Sequence, residues 1–379
     1  MTVVKRLLRV VRRHDESRLQ CWLYTLIVVS LSLMSFACIS LQLLNGIIIP
    51  SGVRYLSSDS VAVRHADDAV QENRTSKSAS LYQRRLFVQL PCASARLGNR
   101  MFAHAALLGL ASHIGLQAGV LTAYDNNILR STFDLKTPAV TDDGRIARLR
   151  TVEWPWRTAV YVPPPSNLTD DAAADDDILL IGYFQSWRYF HAVEERVRAE
   201  FQFRKHISDM AADVLRPLTD KYSRTSTDLV LVGIHVRRSD MAASYHLQRG
   251  YTVADEHYIR RAMNYVADRV TADPNANSPS LVFVVCTDDE EWTRLNVRSS
   301  SHPVVFASSP DRRAAVDLAV LSSCDHVIIT VGTFSWWAGY LHRPDGITVY
   351  FAGFPKPGTE IGNNFHAHDV FPPGWIGLL

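Results

Sequence analysis

The chain has 379 residues, 47% of them hydrophobic and 17 of them proline, enough for two domains with sizeable cores. Its net charge is +2, but Lys5, Arg6, Arg9, Arg12, Arg13 and Arg18 stand against only Asp15 and Glu16 in the first 18 residues, so the rest of the chain sums to −2. A body without a basic excess argues against a nucleic-acid binder. Five cysteines, of which only Cys92, Cys286 and Cys324 follow the apolar N-terminal stretch, argue against a disulfide scaffold.

From Leu19 to Val53 there is no charged residue, and Cys21–Leu44 alone would make ~36 Å of helix, enough to cross a ~30 Å hydrocarbon core. A secretory signal has a shorter apolar core, of about 7–15 residues. The basic tail, residues 1–18, places the amino terminus in the cytosol. Residues 19–49 therefore read as a type II signal anchor, with everything beyond them lumenal or outside. Residues 50–84 are polar and serine-rich, the composition of a flexible stem. Asn73-Arg74-Thr75 and Asn167-Leu168-Thr169 are glycosylation sequons on the expected lumenal side.

A first folded region, residues 85–225, opens with the apolar run Leu86–Leu90, expected as a buried strand. The turn Arg96-Leu97-Gly98-Asn99 leads into a helical pattern over Arg100–Ile114. Gly98 permits close backbone approach, and the helix aims its amino terminus at whatever occupies a cleft there. Gly119–Ala123 and Ile178–Tyr183 read as short strands, with an irregular stretch between them. Asp175-Asp176-Asp177 has the Asp-x-Asp spacing of a divalent-metal site, although a solvated loop is the simpler reading. Gly182–Phe190 (GYFQSWRYF) is either a sugar-stacking lip or a hydrophobic cap. Helical patterns follow at Ala192–Phe201 and Ile207–Thr219.

Residues 226–379 alternate strand and helix. Strands are expected at Leu229–Val236, Leu281–Cys286, Val304–Phe306, His326–Val331 and Ile347–Phe351. Helices are expected at Ala254–Val270, Asp289–Leu295, Arg312–Ser323 and Ser335–Leu341. This pattern predicts an α/β class, a parallel sheet with helices on both faces. Cys286 and Cys324 read as buried thiols at element ends.

Three places in this half carry chemistry. In Leu229–Asp240 (LVLVGIHVRRSD), alternation puts His235 and Arg237 on one face, and Arg237 and Arg238 stand at the carboxyl end where ligands of such sheets bind. Guanidinium groups suit phosphate oxygens, and Asp240 is placed to orient one of them; the plainer alternative is a salt-bridged strand end. Asp288-Asp289 ends a second strand and reads as a helix cap. After His326–Val331, Gly332-Thr333-Phe334-Ser335 combines backbone N–H groups at a helix start with two hydroxyls, either a phosphate cradle or a capped turn. No GxxxxGK[ST] pattern is present, which argues against ATPase-type phosphate chemistry.

Leu97–Ala105 (LGNRMFAHA), Gly233–Asp240 (GIHVRRSD) and Thr330–Leu341 (TVGTFSWWAGYL) together resemble glycosyltransferase family 11, the α-1,2-fucosyltransferases that use GDP-fucose. Gly182–Phe190, Asp288–Trp292 and Asp317–Asp325 support the resemblance. It implies a GT-B-like pair of Rossmann-like domains facing a cleft, with residues 85–225 on the acceptor side and residues 226–379 binding GDP-fucose. It also implies a single-pass Golgi membrane protein. By this resemblance Arg237 holds the β-phosphate, with His235 and Arg238 beside it. Gly332, Thr333, Phe334 and Ser335 add phosphate contacts, Asp317 reads the guanine edge, and Gly98 and Asn99 line the cleft. Arg100 stands where the family usually has Gln, Ala103-His104 near a usual Gln-Tyr pair, and Ser239 for a common Gly.

The implied reaction is an inverting, metal-independent transfer of L-fucose from GDP-β-L-fucose to the 2-hydroxyl of a galactose-terminated glycan. Arg237, His235 and Asp240 form the expected catalytic group. Asp240, His104 and His246 are the candidate general bases by residue type. Two alternatives remain open on sequence: an α-1,6- or protein O-fucosyltransferase, and an inactive, membrane-tethered glycan-binding protein.

Overall fold

Strands that are apolar throughout need cover on both faces, and parallel sheets provide it. In the computed structural model the described residues are 84–379 except 93–94, 123–126, 142–148, 156–158, 167, 169–175, 224–228, 273–278 and 309–312. The expected tail and anchor, Asn73 and Asn167 lie outside them. Among the described residues no helix is long and apolar enough to cross a membrane.

The first sheet has the order β2-β1-β6-β5, from Gln117–Ala118, Arg85–Gln89, Ile178–Ile181 and Arg150–Glu153. All of its pairings are parallel, with Leu86 opposite Ile178 and Val88 opposite Leu180. The strand expected over Gly119–Ala123 is present as β3 (Val120–Leu121), while the stretch read as irregular contains β4 (Ala139–Val140), the parallel partner of β3, and also β5. Its polar alternation conceals an edge strand. Asp177 is not solvated as expected. It is buried and accepts the N–H of Arg85 at 2.8 Å, anchoring the first residue of β1.

Helix α1 (Leu97–Ile114) is apolar on every side, and it runs through the interior until Gly115, at φ 71°, ends it. An added Cβ at Gly109 would lie 1.9 Å from the Tyr189 carbonyl oxygen, so only glycine allows that close pass.

The second sheet has the order β12-β11-β10-β7-β8-β9. Its strands are β7 (Leu229–Val236), β8 (Ser280–Thr287), β9 (Val304–Phe306), β10 (His326–Ile329), β11 (Thr348–Phe351) and β12 (Ile376–Leu378). The chain goes from β7 outward through β8 to β9, then returns to β10 on the other side and continues outward. This is the doubly wound order 3-2-1-4-5-6, all parallel, and its switch point falls between β7 and β10.

One hydrophobic core connects the two sheets. At its centre Trp337, fully buried on helix α2 (Thr333–Leu341), stacks on Phe190 at 5.8 Å and meets Phe201 edge-on at 5.0 Å. Its indole N–H donates to the Gly98 carbonyl at 3.0 Å, satisfying the polar atom of a buried aromatic. The Gly182–Phe190 segment divides between the two readings open on sequence. Phe184, Tyr189 and Phe190 cap the core, while Tyr183 and Gln185 face the cleft.

Candidate active site

Strands diverging at the switch point leave a crevice beyond their carboxyl ends, and a cleft of about 880 Å³ lies there. The end of β7 and the start of α2 line it side by side, with His235 and Arg237 from one and Gly332, Thr333 and Phe334 from the other. Gly98 and Asn99 complete it from α1, and Asp317 lines it from the first turn of the helix Ala314–Ser322. Sequence separations of over a hundred residues thus collapse into one site.

Arg237 is held in a fixed plane. Its Nη1 lies 2.5 Å from Asp288 Oδ2 and its Nη2 2.5 Å from Asp240 Oδ1, while its backbone N–H donates to Thr330 Oγ1 at 2.9 Å. Asp288, read on sequence as half of a cap, is the organiser of this turn. It also accepts the Arg238 N–H at 2.8 Å and the Ser239 hydroxyl at 2.5 Å. Burial alone would raise its pKa, but these hydrogen bonds and the charge of Arg237 hold it below the ordinary carboxylate value. The cap itself is Asp289, which accepts the Trp292 N–H at 3.2 Å.

Three expectations change. Arg238 does not line the cleft: its Nη1 donates to the Ala254 carbonyl at 2.7 Å and its guanidinium lies 3.7 Å over the Trp292 ring. Alternation is the reason, since a residue next to Arg237 points to the opposite face. The Ser335 side chain is fully buried and bonds to His235 Nδ1 at 2.5 Å, not to the cleft. Thr333 Oγ1 donates its proton to Asn99 Oδ1 at 2.8 Å. The cradle at this helix start is therefore made of backbone N–H groups, with the hydroxyls committed elsewhere.

Asp240, expected in the catalytic group, does not itself line the cleft; it holds two residues that do, Arg237 and, through its other oxygen at 2.9 Å, Arg96. Of the candidate bases, His104 is buried 3.6 Å from Glu200 and away from the cleft, and His246 packs beside Tyr251 without lining it. Among the described residues, His366, His368 and Asp369 form a metal-ligand-type group. Arg188 at 2.8 Å and the Tyr161 N–H at 3.0 Å already occupy that carboxylate, and a guanidinium so near opposes a cation.

The far end of the cleft was not read from the sequence. Arg249, Tyr251, Phe354, Glu360 and Asn364 line it. Arg249 holds Glu360 through two contacts of 3.0 and 3.2 Å, and Lys356 N–H donates to the Gly250 carbonyl at 2.9 Å. Arg249 ends the six-residue helix Ser244–Arg249 and Asn364 a single 3-10 turn, elements too short to show a periodicity, and the others lie in irregular segments, so no pattern marked them.

A model of the Glycosyl transferase family 11 matches residues 75–379. The chain belongs to this family. The family 11 chain is 33% identical over 293 residues to a galactoside 2-alpha-L-fucosyltransferase of Bos taurus, covering 76% of this chain and 72% of that one. It is also 33% identical to a galactoside alpha-(1,2)-fucosyltransferase of Lagothrix lagotricha, over 75% of this chain and 72% of the relative. Among solved structures it is similar to the fucosyltransferase NodZ from Bradyrhizobium at a TM-score of 0.41 and 15% identity, covering 69% of this chain and 94% of that one.

Proposed function

We propose that this family 11 member transfers L-fucose from GDP-β-L-fucose to the 2-hydroxyl of a galactoside on a glycoprotein or glycolipid glycan. The observation that carries the reading is that Arg237 and the helix start at Thr333 and Phe334 line one cleft, in a family whose relatives above are named galactoside fucosyltransferases.

In this reading the two halves form a GT-B-like pair, residues 226–379 holding the donor and residues 85–225 the acceptor. The acceptor oxygen attacks the anomeric carbon as the bond to the β-phosphate breaks, so the β-linked donor yields an α-linked product. Negative charge builds on the departing GDP. Arg237, kept rigid by Asp240 and Asp288, keeps further N–H groups for that diphosphate, and donors that need no reorganisation are the ones that lower a barrier. Asp317 takes the guanine edge at one end of the cleft, and the Arg249–Glu360 end receives the glycan. No metal is required in this scheme, because the guanidinium and the helix start supply the positive potential. Residues 19–49 anchor the chain in the Golgi membrane with the catalytic part lumenal, and Asn73 and Asn167 carry glycans.

The test is incubation of the lumenal fragment, from residue 76, with labelled GDP-fucose and galactosides, with and without EDTA, followed by linkage analysis. An α-1,2 product formed equally with EDTA is expected. An α-1,6 or peptide-linked product, or glycan binding without turnover, would replace the reading.

A further inference from the structure

His235 lies on the cleft wall beside Arg237, with its ring against Phe334 at 4.7 Å. Its Nδ1 is 2.5 Å from Ser335 Oγ, and Ser335 Oγ is 2.9 Å from the Val331 carbonyl oxygen. A hydroxyl has one proton to give, and a carbonyl can only accept. Among the described residues no other hydrogen bond reaches that buried carbonyl. Were Ser335 to turn its proton to the imidazole, the carbonyl would be stranded, at a cost of ~1–3 kcal/mol. With the serine proton on Val331 and the imidazole proton on Nδ1, all three groups are satisfied.

The network therefore sets the tautomer: N–H at Nδ1, lone pair at Nε2. Burial first of all, with Arg237 adding to it and Asp288 opposing, pushes the His235 pKa down to about 4, so the ring is neutral near pH 7. Nε2 has no hydrogen-bond partner among the described residues and is not sealed off, so it opens on the cleft. A lone pair facing a diphosphate oxygen would be repelled. What this atom can bind is a hydroxyl.

We propose that His235 accepts a hydrogen bond from a hydroxyl of the transferred hexose at Nε2, and that Ser335 is the positioning residue that holds the imidazole in the tautomer able to do so. This rests on the donor reading above, and it takes both residues out of the phosphate-binding set.

Three variants test it. His235→Asn keeps an N–H facing Ser335 and removes the acceptor on the cleft side. His235→Gln keeps an acceptor near the Nε2 position. Ser335→Ala releases the tautomer. Calorimetric affinities for GDP and for GDP-fucose are measured on each, with thermal unfolding alongside. His235→Asn is expected to weaken GDP-fucose about tenfold more than GDP, with Gln recovering most of the loss, since one neutral hydrogen bond is at stake. Ser335→Ala should weaken GDP-fucose severalfold, with the GDP affinity held.

Equal losses for the two nucleotides would place the ring on the diphosphate or the ribose and overturn the proposal. So would unchanged nucleotide binding with only the acceptor KM raised. A Ser335→Ala variant that loses stability without moving the GDP-fucose to GDP ratio overturns the positioning role. Wild-type protein that binds neither nucleotide overturns the donor reading and this proposal together.

Discussion

Asn99 Oδ1 accepts the Thr333 hydroxyl at 2.8 Å and the Gln185 amide at 3.0 Å, so one side chain ties the start of α1 to the start of α2. The residue before it makes that approach possible. An added Cβ at Gly98 would lie 2.7 Å from the Phe334 nitrogen and from the Thr333 carbonyl carbon, both of them backbone atoms that cannot swing aside.

Gly98→Ala should therefore push the two helix starts apart. Overpacking of this kind costs ~1–3 kcal/mol, read as a lower urea midpoint. Because the displaced atoms line the cleft, nucleotide affinity should fall with it. Asn99→Leu, which strands the Thr333 and Gln185 donors, should cost about 1 kcal/mol.

Arg237 carries the greatest expected effect on rate. Arg237→Lys keeps the charge but cannot satisfy Asp240, Asp288 and a diphosphate at once. A fall of ~10²–10³ in kcat/KM is expected, the scale of losing one preorganised transition-state donor. Asp288→Asn, which leaves the arginine in place but unclamped, should fall between this variant and wild type. Steady-state kinetics with a saturating galactoside checks both.

Acid should weaken the fold in two stages. His235 and His342 are both buried, and burial above all pushes each pKa down to about 4. An unfolded histidine binds its proton near pH 6.5, so between pH 6.5 and 4 the unfolded chain holds more protons and stability falls as pH falls, by ~1.4 kcal/mol per pH unit for each ring. His342→Gln should flatten that slope in pH-dependent urea titrations. Glu200 acts lower. Burial opposes its charge, but the neighbouring His104 and hydrogen bonds from Thr137 and Lys136 take it down to about 2, so its contribution is present above pH 4.5 and is lost as pH falls toward 2.

At the other end of the cleft, Arg249→Ala should raise the acceptor KM while changing thermal stability little. The pair with Glu360 is largely exposed, and such pairs are worth about 0–1 kcal/mol. An equal rise in the KM for GDP-fucose would remove this end from the acceptor side.

The parallel sheet of the second half was legible because strands buried on both faces must be apolar along their length. Leu229–Val236 and Val304–Phe306 have the expected bounds, and β10 ends two residues before its apolar run does. The third strand of the first sheet that alternates, Arg150–Glu153, was hidden because an edge strand need not be apolar. Short-range chemistry was legible in kind but not in direction. The arginine pair was marked correctly as a site, yet which of the two faces the cleft depends on where β7 stops. Ser335 was recognised as a hydroxyl at a helix start, yet the third residue of a helix already points inward.

By itself, then, the order of residues determined which segments must be covered on both sides, where anions are welcome, and that Gly98 permits a close backbone approach. These are properties of a few neighbouring residues and their periodicity. Only the tertiary structure decided that Asp288 clamps Arg237, that Ser335 serves His235, and that Arg249 and Glu360 close the far end of the cleft. Each of those is a contact between segments distant along the chain, set by strand order and helix packing, and no local pattern encodes which partner a side chain will meet.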